Sequence, residues 1–321
     1  MSNGCVATVA ICTHNRAVLA AAAAEAAVRQ AIPLEAEVLV VDNASDDHTP
    51  AVLEALVARH PQAFRTVHEP RLGLSHARNR ALAEARAPVI VYLDDDAIPR
   101  PGWLPALLAP FVDARAAAAG GRIVLRFPGG APPPPWLSPE LSCLFSAFDA
   151  GDTPRILRYG RADYPYGANI AFRVDAARAA GGFSGAVGPR GHEPFVHDET
   201  DLCYRLERAG GTIHYVPDAV VDHHVLKERV SPAWVLRRAT HGGHSAALFI
   251  LRNRGVLRAI ARIAWLYGGS LASRPYRLQQ PVDPARLLRE CRRREALAYV
   301  RSLLRNLPRA RLLAREARVS A

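Results

Sequence analysis

Three consecutive aspartates, Asp94, Asp95 and Asp96, directly follow an apolar run at residues 89–93. The run is unbroken and rich in β-branched residues, which is typical of a strand buried on both faces. Three adjacent like charges repel one another unless a divalent cation or hydrogen-bond donors neutralise them. The triplet therefore has two interpretations, a site for a metal ion with a diphosphate or a solvated acidic turn.

Two further polar clusters, at residues 13–16 and 42–47, also follow predicted strands. Thr49 before Pro50 is expected to cap a helix. The order of elements predicts an α/β fold with a doubly wound, mostly parallel sheet and flanking helices, in which the three polar clusters line one crevice at the carboxyl ends of the strands. The periodicity predicts strands at residues 6–12, 37–41, 64–68 and 89–93, and helices at 17–30, 49–60 and 75–85.

Positive charge is concentrated at the end of the chain. The 321 residues carry a net charge of +11, but residues 226–321 hold 21 Lys and Arg against 5 Asp and Glu, whereas residues 1–225 hold 20 against 25. From residue 231 onward, apolar positions are interleaved with Arg, which predicts basic amphipathic helices. Such helices can lie on an anionic membrane surface or pack on the preceding domain, and both interpretations stay open.

The remaining composition excludes several classes of protein. The five cysteines have no CxxC spacing, so neither a zinc site nor a disulfide framework is expected. No apolar stretch is expected to reach the roughly 18 residues of a membrane span, and no secretory signal pattern begins the chain. We therefore expect a cytoplasmic protein, with peripheral attachment to the inner face of the membrane as a second option.

Taken in order, six segments resemble the motifs of glycosyltransferase family 2, and the resemblance covers roughly residues 6 to 250. It implies the nucleotide-diphospho-sugar transferase fold called GT-A, a divalent metal, and inversion of the anomeric configuration of the transferred sugar. The segments are residues 13–16 (Thr-His-Asn-Arg), 41–49, 73–79, 93–96, 167–169 (Gly-Ala-Asn) and 198–202 (Asp-Glu-Thr-Asp-Leu).

The resemblance also implies a metal site. Residues 94–96 match the DxD motif, with Asp96 as the metal ligand and Mg²⁺ or Mn²⁺ as the cofactor, in keeping with the preference of those ions for oxygen ligands. A histidine six residues before an arginine is implied to contact the metal or the diphosphate, which matches His223 before Arg229. His224 stays an alternative, as does a pair of surface histidines.

The expected donor is a nucleotide-diphospho-sugar of the UDP, dTDP or GDP type. Asp42, at the end of the second strand, can accept a hydrogen bond from a pyrimidine N–H, and Arg16 and Arg78 can offer forked donors to phosphate or nucleoside. Arg78 could instead be a solvated residue on a helix face. Asp47 either contacts the ligand or ties its own backbone into a turn. The other predicted donor-binding residues are Thr13, Asn15, Asp94 and Asp95.

An inverting transfer requires a carboxylate that takes the proton of the acceptor hydroxyl. In the register fixed by Asp201 and Leu202, Glu199 falls at the base position of the family, which is usually the Asp of a Glu-Asp pair. Here the order is Asp-Glu. Glu199 is favoured because its longer side chain reaches further, and Asp198 stays an alternative. Both acids could instead complement the positive end of a helix dipole.

Gly167, Asn169 and Asp201 are expected on the acceptor side, and the acceptor is a sugar, a lipid-linked molecule or a small molecule. The predicted domains are a GT-A catalytic domain at residues 1–225, with a nucleotide-binding half at about 1–100 and an acceptor half at about 101–225, and a basic helical region at 226–321.

The predicted activity is an inverting sugar transfer in the synthesis of a polysaccharide, glycolipid or glycosylated metabolite. A nucleotidyltransferase that makes nucleotide-sugars is the alternative enzyme, but it would carry a Gly-rich loop with Arg and Lys where this chain has Thr-His-Asn-Arg. A nucleic-acid or anionic-surface binding protein would not need acids ordered along the sheet edge, and no nucleic-acid motif is present, so nucleic acid is not an expected partner.

Overall fold

The computed structural model describes residues 5–160, 164–184, 198–264, 268–278 and 280–319. The strands are β1 (Thr8–Thr13), β2 (Glu37–Asp42), β3 (Phe64–His68), β4 (Val89–Asp94), β5 (Ala97–Pro99), β6 (Ala116–Arg126), β7 (Arg155–Leu157), β8 (Asn169–Arg173) and β9 (Thr212–His224). The helices are α1 (Ala17–Ala31), α2 (Thr49–Arg59), α3 (Leu74–Glu84), α4 (Trp103–Leu108), α5 (Pro139–Ser142), α6 (Val174–Ala179), α7 (Asp198–Arg208), α8 (Pro232–Arg262), α9 (Gly268–Leu271), α10 (Pro284–Asn306) and α11 (Ala310–Val319).

These strands form one mixed sheet in the order β3-β2-β1-β4-β8-β6-β9-β5, with β7 also paired to β9. The neighbours β3, β2, β1 and β4 are parallel, as the alternating pattern predicts, because α1, α2 and α3 supply the long crossovers that parallel strands need. Beyond β4 the pairing changes: β8 is antiparallel to β4 and β6, and β9 is parallel to β6 but antiparallel to β5 and β7. The sheet is therefore parallel from β3 to β4, as predicted, and mixed from β8 to β5.

Up to residue 94 the predicted elements lie within two residues of the observed ones. The prediction that Thr49 caps a helix is wrong, since Thr49 is the first residue of α2 and His48 precedes it. The carboxylate of Asp47 provides the local tie instead, because its Oδ1 accepts a hydrogen bond from the Thr49 backbone N–H at 2.8 Å. Asp47 thus ties its own backbone into a turn, which was one of its two interpretations.

Helix α1 packs against β1, β2 and β5 through alanines, and Ala20, Ala23 and Ala27 are fully buried. The segment Ala17–Leu34, which contains α1, is long and apolar enough by length and composition to cross a membrane, and 44% of it is buried. This corrects the expectation that no apolar stretch reaches that length. The small alanine side chains let α1 lie close to the strands. An alanine-rich composition that would suit a membrane span is therefore also that of a helix packed on the core.

The C-terminal helices pack against one another and against the segment at residues 125–145, which includes α5. Gly243 in α8 allows α10 to approach closely, because a Cβ atom there would lie 2.1 Å from the carbonyl oxygen of Glu295. Helix α8 is interrupted at Gly255, whose φ of 81° lies outside the helical region. Helices α8 and α10 each bury one face, as expected if the basic helices pack on the protein. Beyond the kink, Leu257 and Ile260 are 85% and 51% exposed.

Candidate active site

A cavity of about 760 Å³ lies at the carboxyl ends of β1 and β4. Its walls also include the start of α3, the start of α7, the end of β9 and the first turns of α8. The crevice predicted from the strand order is therefore present. It brings together ten of the predicted site residues: Thr13, Arg16, Arg78, Asp94, Asp95, Asp96, Gly167, Asp198, Glu199 and His223.

Asp94, Asp96 and His223 form a group that could hold a metal ion, since each offers one ligand atom and these atoms lie within 4.8 Å of one another. The sheet register explains the grouping, because Ala97 of β5 pairs with His223 of β9 and so places the imidazole beside Asp96. His223 Nε2 lies 2.9 Å from Asp96 Oδ1. His223 is 3% exposed, whereas the side chain of His224 is exposed, so the geometry favours His223 over its neighbour.

The chemistry of this group fits a hard divalent cation. Two carboxylates and one imidazole supply oxygen and nitrogen ligands, with no thiolate among them. Burial alone would raise the pKa of Asp96, but the hydrogen bond and charge of His223, followed by the charges of Arg229 and Arg16, lower it. Asp96 therefore stays ionised, as a metal ligand must be. The Nδ1 atom of His223 is buried and has no hydrogen-bond partner among the residues that the structure describes.

Asp95, the middle acid, is held by the first strand. Its Oδ2 accepts a hydrogen bond from Thr13 Oγ1 at 2.8 Å, and its Oδ1 accepts one from Arg16 Nη1, also at 2.8 Å. Burial raises the pKa of Asp95 to about 6, against the opposing charge of Arg16. These contacts tie the end of β1 to the loop after β4, and so fix the two strand ends that meet at the cavity.

Asp42, Asn15 and Asp47 lie on the same edge of the sheet but do not line this cavity. Asp42 is 6% exposed, and its carboxylate contacts the Ser45 backbone N–H and His68 Nδ1, each at 3.2 Å. The side chain of Asn15 exchanges hydrogen bonds with Asp46 and so ties the first polar cluster to the second. Contact of these three residues with a nucleotide stays a prediction.

Asp198 and Glu199 begin α7 and occupy different electrostatic positions. Arg78 Nη1 lies 2.9 Å from Asp198 Oδ2 and 3.6 Å from Glu199 Oε2. Burial opposes ionisation of Asp198, but the charge of Arg78, together with side-chain hydrogen bonds from Glu199 and Arg78, lowers the pKa of that carboxyl. Burial and then the adjacent charge of Asp198 raise the pKa of Glu199 to about 8. The neighbouring acids are thus an ion-paired carboxylate and a carboxyl able to exchange a proton near neutral pH.

Arg78 joins the two acidic groups. It is 4% exposed, and besides Asp198 its guanidinium reaches Asp94 Oδ1 at 3.6 Å. The interpretation of Arg78 as a solvated helix-face residue is therefore wrong. Gly167 lies against it, since a Cβ atom at that position would be 1.9 Å from Arg78 Nη2, and the Gly167 N–H donates to Glu199 Oε1 at 3.2 Å.

Two predicted acceptor residues have structural roles instead. Asn169 is fully buried, and its side chain accepts from Trp103 Nε1 and donates to the carbonyls of Arg122 and Ala219. All of its hydrogen-bonding groups are used within the protein, which corrects the prediction that it contacts an acceptor.

Asp201 is also fully buried, and it pairs with Arg205 at 2.9 Å while accepting from Asn253 Nδ2 at 2.6 Å. It ties α7 to α8 and does not reach the cavity, so its predicted acceptor contact is corrected as well. The motif was placed correctly in both cases, but the direction of the side chain depends on the packing around it.

Several cavity residues escaped the sequence reasoning. Trp234, Arg237 and Arg238 come from the first turns of α8, where the pattern indicates only a basic amphipathic helix. Arg229 enters the family motif only through its spacing from His223. Its guanidinium nevertheless lies 3.5 Å from Asp96. Asn43, also in the wall, holds the loop after β3 through hydrogen bonds to the carbonyls of Glu69 and Arg71.

Comparisons with known proteins agree with this architecture. A profile of the family described as "Glycosyl transferase family 2" matches residues 8–179. A pre-mycofactocin glycosyltransferase from Mycobacterium tuberculosis is 32% identical over 221 residues, covering 66% of this chain, which spans only 42% of that relative's length. The succinoglycan biosynthesis protein ExoM from Rhizobium meliloti is 29% identical over 259 residues, covering 80% of this chain and 79% of that protein.

Among solved structures, a mannosyltransferase from Pyrobaculum calidifontis in complex with GDP-Man and Mn²⁺ has a TM-score of 0.60 at 22% identity, with 93% of this chain and 88% of that chain covered. At 22% identity, this similarity establishes only that the two chains share a fold. The predicted GT-A fold, a sheet with flanking helices followed by a C-terminal helical region, is confirmed.

Proposed function

This chain belongs to glycosyl transferase family 2, and we propose that it is a glycosyltransferase that moves a sugar from a nucleotide-diphospho-sugar to an acceptor hydroxyl with inversion at the anomeric carbon. The observation that carries the proposal is the position of Arg78. Its one guanidinium spans Asp94 of the candidate metal group and the pair Asp198 and Glu199. A leaving-group site and a proton acceptor therefore adjoin in one cavity, as a single displacement requires.

Asp94, Asp96 and His223 would hold a divalent ion, either Mg²⁺ or Mn²⁺. Bound there, the ion would act as a Lewis acid on the diphosphate as it leaves. Arg229, 3.5 Å from Asp96, brings a second positive charge to the same place. The complex of the Pyrobaculum mannosyltransferase with Mn²⁺ supports a metal, without deciding between the two ions.

Glu199 takes the proton of the acceptor hydroxyl as that oxygen attacks the anomeric carbon. Its raised pKa suits this role, because a base is most effective when its pKa lies near the working pH. The Gly167 N–H orients Oε1 at 3.2 Å. Asp198 keeps Arg78 in place and remains ionised, so we assign it a positioning role.

The donor side comprises Thr13, Asn15, Arg16, Asp42, Asp47 and Asp95, at the edge where β1, β2 and β4 end. Donors of the UDP, dTDP or GDP type are all compatible with this set. The acceptor is a sugar, a lipid-linked molecule or a small molecule. We propose that the reaction serves the synthesis of a polysaccharide, a glycolipid or a glycosylated metabolite. We also propose that the enzyme acts in the cytoplasm or at the inner face of the membrane.

The proposed organisation keeps a catalytic domain at residues 1–225, with its nucleotide-binding half at about 1–100 and its acceptor half at about 101–225. The basic region at 226–321 is proposed to complete the active site as well as to carry charge, because Arg229, Trp234 and Arg238 line the cavity.

The test is a panel of UDP-, GDP- and dTDP-sugars incubated with the protein in Mn²⁺ or in EDTA, with release of nucleoside diphosphate as the readout. We expect slow release from one donor class in Mn²⁺ and none in EDTA, because water can replace a missing acceptor. A nucleotidyltransferase would instead release pyrophosphate from a nucleoside triphosphate and a sugar phosphate. That result, or release unaffected by EDTA, would overturn the proposal.

A further inference from the structure

Among the described residues, five arginines line the active-site cavity, and they fall into two groups. Three contact a carboxylate: Arg16 lies 2.8 Å from Asp95, Arg78 lies 2.9 Å from Asp198, and Arg229 lies 3.5 Å from Asp96. The other two, Arg237 and Arg238 on α8, have no carboxylate partner among the described residues. Among the residues that the structure describes, the cavity therefore has two cationic side chains with no carboxylate to neutralise their charge.

Arg238 is the more enclosed of the two, since it is partly buried whereas Arg237 is exposed. Its Nε donates only a long hydrogen bond, at 3.4 Å, to the carbonyl of Leu144. Burial lowers the pKa of Arg238 to about 10, because desolvation outweighs the attraction of nearby acids. A guanidinium partly withdrawn from water, with no carboxylate partner among the described residues, is costly, so this arrangement suits a site completed by a ligand.

The position of Arg238 indicates which substrate that ligand belongs to. The diphosphate of a donor would lie at Asp94, Asp96 and His223, where Arg229 already supplies a positive charge. Arg238 lies beside Leu144 in the same cavity, and the charges that act on it most strongly are those of Glu199 and, next, Arg229. It is therefore near the base that must meet the acceptor hydroxyl.

We propose that Arg238, assisted by Arg237, binds an anionic group of the acceptor, either a phosphate or a carboxylate. This assignment rests on the proposed function, because it takes Glu199 as the base. A guanidinium can donate two parallel hydrogen bonds to a phosphate or a carboxylate, which fixes orientation as well as position. An acceptor whose anionic group is bound there presents a neighbouring hydroxyl to Glu199. A neutral acceptor cannot make this contact.

The test uses three probes of one shape: glucose 6-phosphate, glucuronate and glucose. Each is titrated by calorimetry into the full chain saturated with nucleoside diphosphate and Mn²⁺. We expect at least one anionic probe to bind about tenfold or more tighter than glucose, because hydrogen bonds to charged groups contribute about 1.5–3 kcal/mol. The stronger of the two anionic probes identifies phosphate or carboxylate as the recognised group.

Arg238→Gln should abolish that preference and leave the dissociation constant of nucleoside diphosphate unchanged. Arg301→Gln, an equal change of charge at an exposed position on α10, should retain the preference. Equal binding of glucose and both anionic probes, or a loss of nucleotide affinity in Arg238→Gln with probe binding retained, would overturn the assignment. Failure of the wild type to bind nucleoside diphosphate with Mn²⁺ would instead overturn the proposed function, and this assignment with it.

Discussion

At the residue scale, Asp198 and Glu199 show how one ion pair separates two adjacent acids. Arg78 contacts Asp198 at 2.9 Å and stays 3.6 Å from Glu199. The first acid is held ionised, while burial and the charge of the first acid raise the pKa of the second to about 8. The sequence left both acids as candidates for the base. The difference in their partners now favours Glu199.

Glu199→Gln should reduce transfer by about 10²–10⁴-fold, because the amide keeps the size of the side chain but cannot accept a proton. Asp198→Asn is the matching acid-to-amide change and should be milder, since Asp198 acts through Arg78. Both variants should bind nucleoside diphosphate as the wild type does. An inactive Asp198→Asn beside an active Glu199→Gln would move the base to Asp198.

The pH profile offers an independent check on the same pair. Because the pKa of Glu199 is raised, its proton remains bound below about pH 8 and the active carboxylate accumulates above it. Transfer should therefore rise with pH through that region and then level off. Asp198→Asn removes the negative charge that helps to raise this pKa, so its rising limb should move to lower pH. A limb at the same pH in both proteins would contradict the coupling.

Prediction from sequence succeeded where position along a strand or helix decides the role. Asp94, Asp96 and Glu199 follow or begin regular elements, so their places at the crevice could be predicted. Asn169 and Asp201 belong to the same motifs, but tertiary packing turns their side chains away from the cavity. No local pattern distinguishes those two outcomes.

At the element scale, strand register and close contacts assemble the site. The pairing of β5 with β9 brings His223 to Asp96, although 126 residues separate them in the sequence. Helix boundaries follow from local patterns of apolar residues and were predictable to residue 94. The order of β5 to β9 depends on long-range pairing, and the contribution of α8 to the cavity depends on how that helix docks, so neither could be predicted.

Gly167→Ala tests the contact between the start of β8 and α3. The added Cβ would lie 1.9 Å from Arg78 Nη2, so the guanidinium that contacts Asp198 must shift. We expect a loss of about 1–3 kcal/mol in the free energy of unfolding, as for overpacking elsewhere, together with a clear fall in transfer rate. Gly242→Ala is the matched control, since a Cβ there meets nothing within 4 Å. Equal activity of the two variants would show that Arg78 need not be fixed.

At the scale of the whole molecule, charge and exposed apolar surface coincide in the C-terminal region. Residues 226–321 hold 21 Lys and Arg against 5 Asp and Glu, and Leu257 and Ile260 are exposed beyond the kink in α8. The buried faces of α8 and α10 serve packing, so only the exposed part of this region is available to a membrane surface.

Vesicles that contain anionic lipid should therefore recruit the protein, and added salt should release it, because surface attraction is screened over about 8–10 Å at physiological ionic strength. Flotation with anionic and with neutral vesicles measures this directly. Leu257→Ser should weaken recruitment without affecting nucleotide binding. Equal flotation with both kinds of vesicle, or none with either, would leave packing as the only role of these helices.

Metal-dependent binding of the donor is the property on which the proposed chemistry depends most. Calorimetry should compare the affinity for nucleoside diphosphate, with and without Mn²⁺, in the wild type, in Asp96→Asn, and in Asp152→Asn, whose side chain is 94% exposed. We expect Mn²⁺ to strengthen binding in the wild type and in Asp152→Asn. In Asp96→Asn this gain should fall by about 10–100-fold with the melting temperature nearly unchanged, since the amide keeps the shape but loses the anionic ligand. Wild-type affinity of Asp96→Asn in Mn²⁺ would contradict a metal site at Asp94, Asp96 and His223.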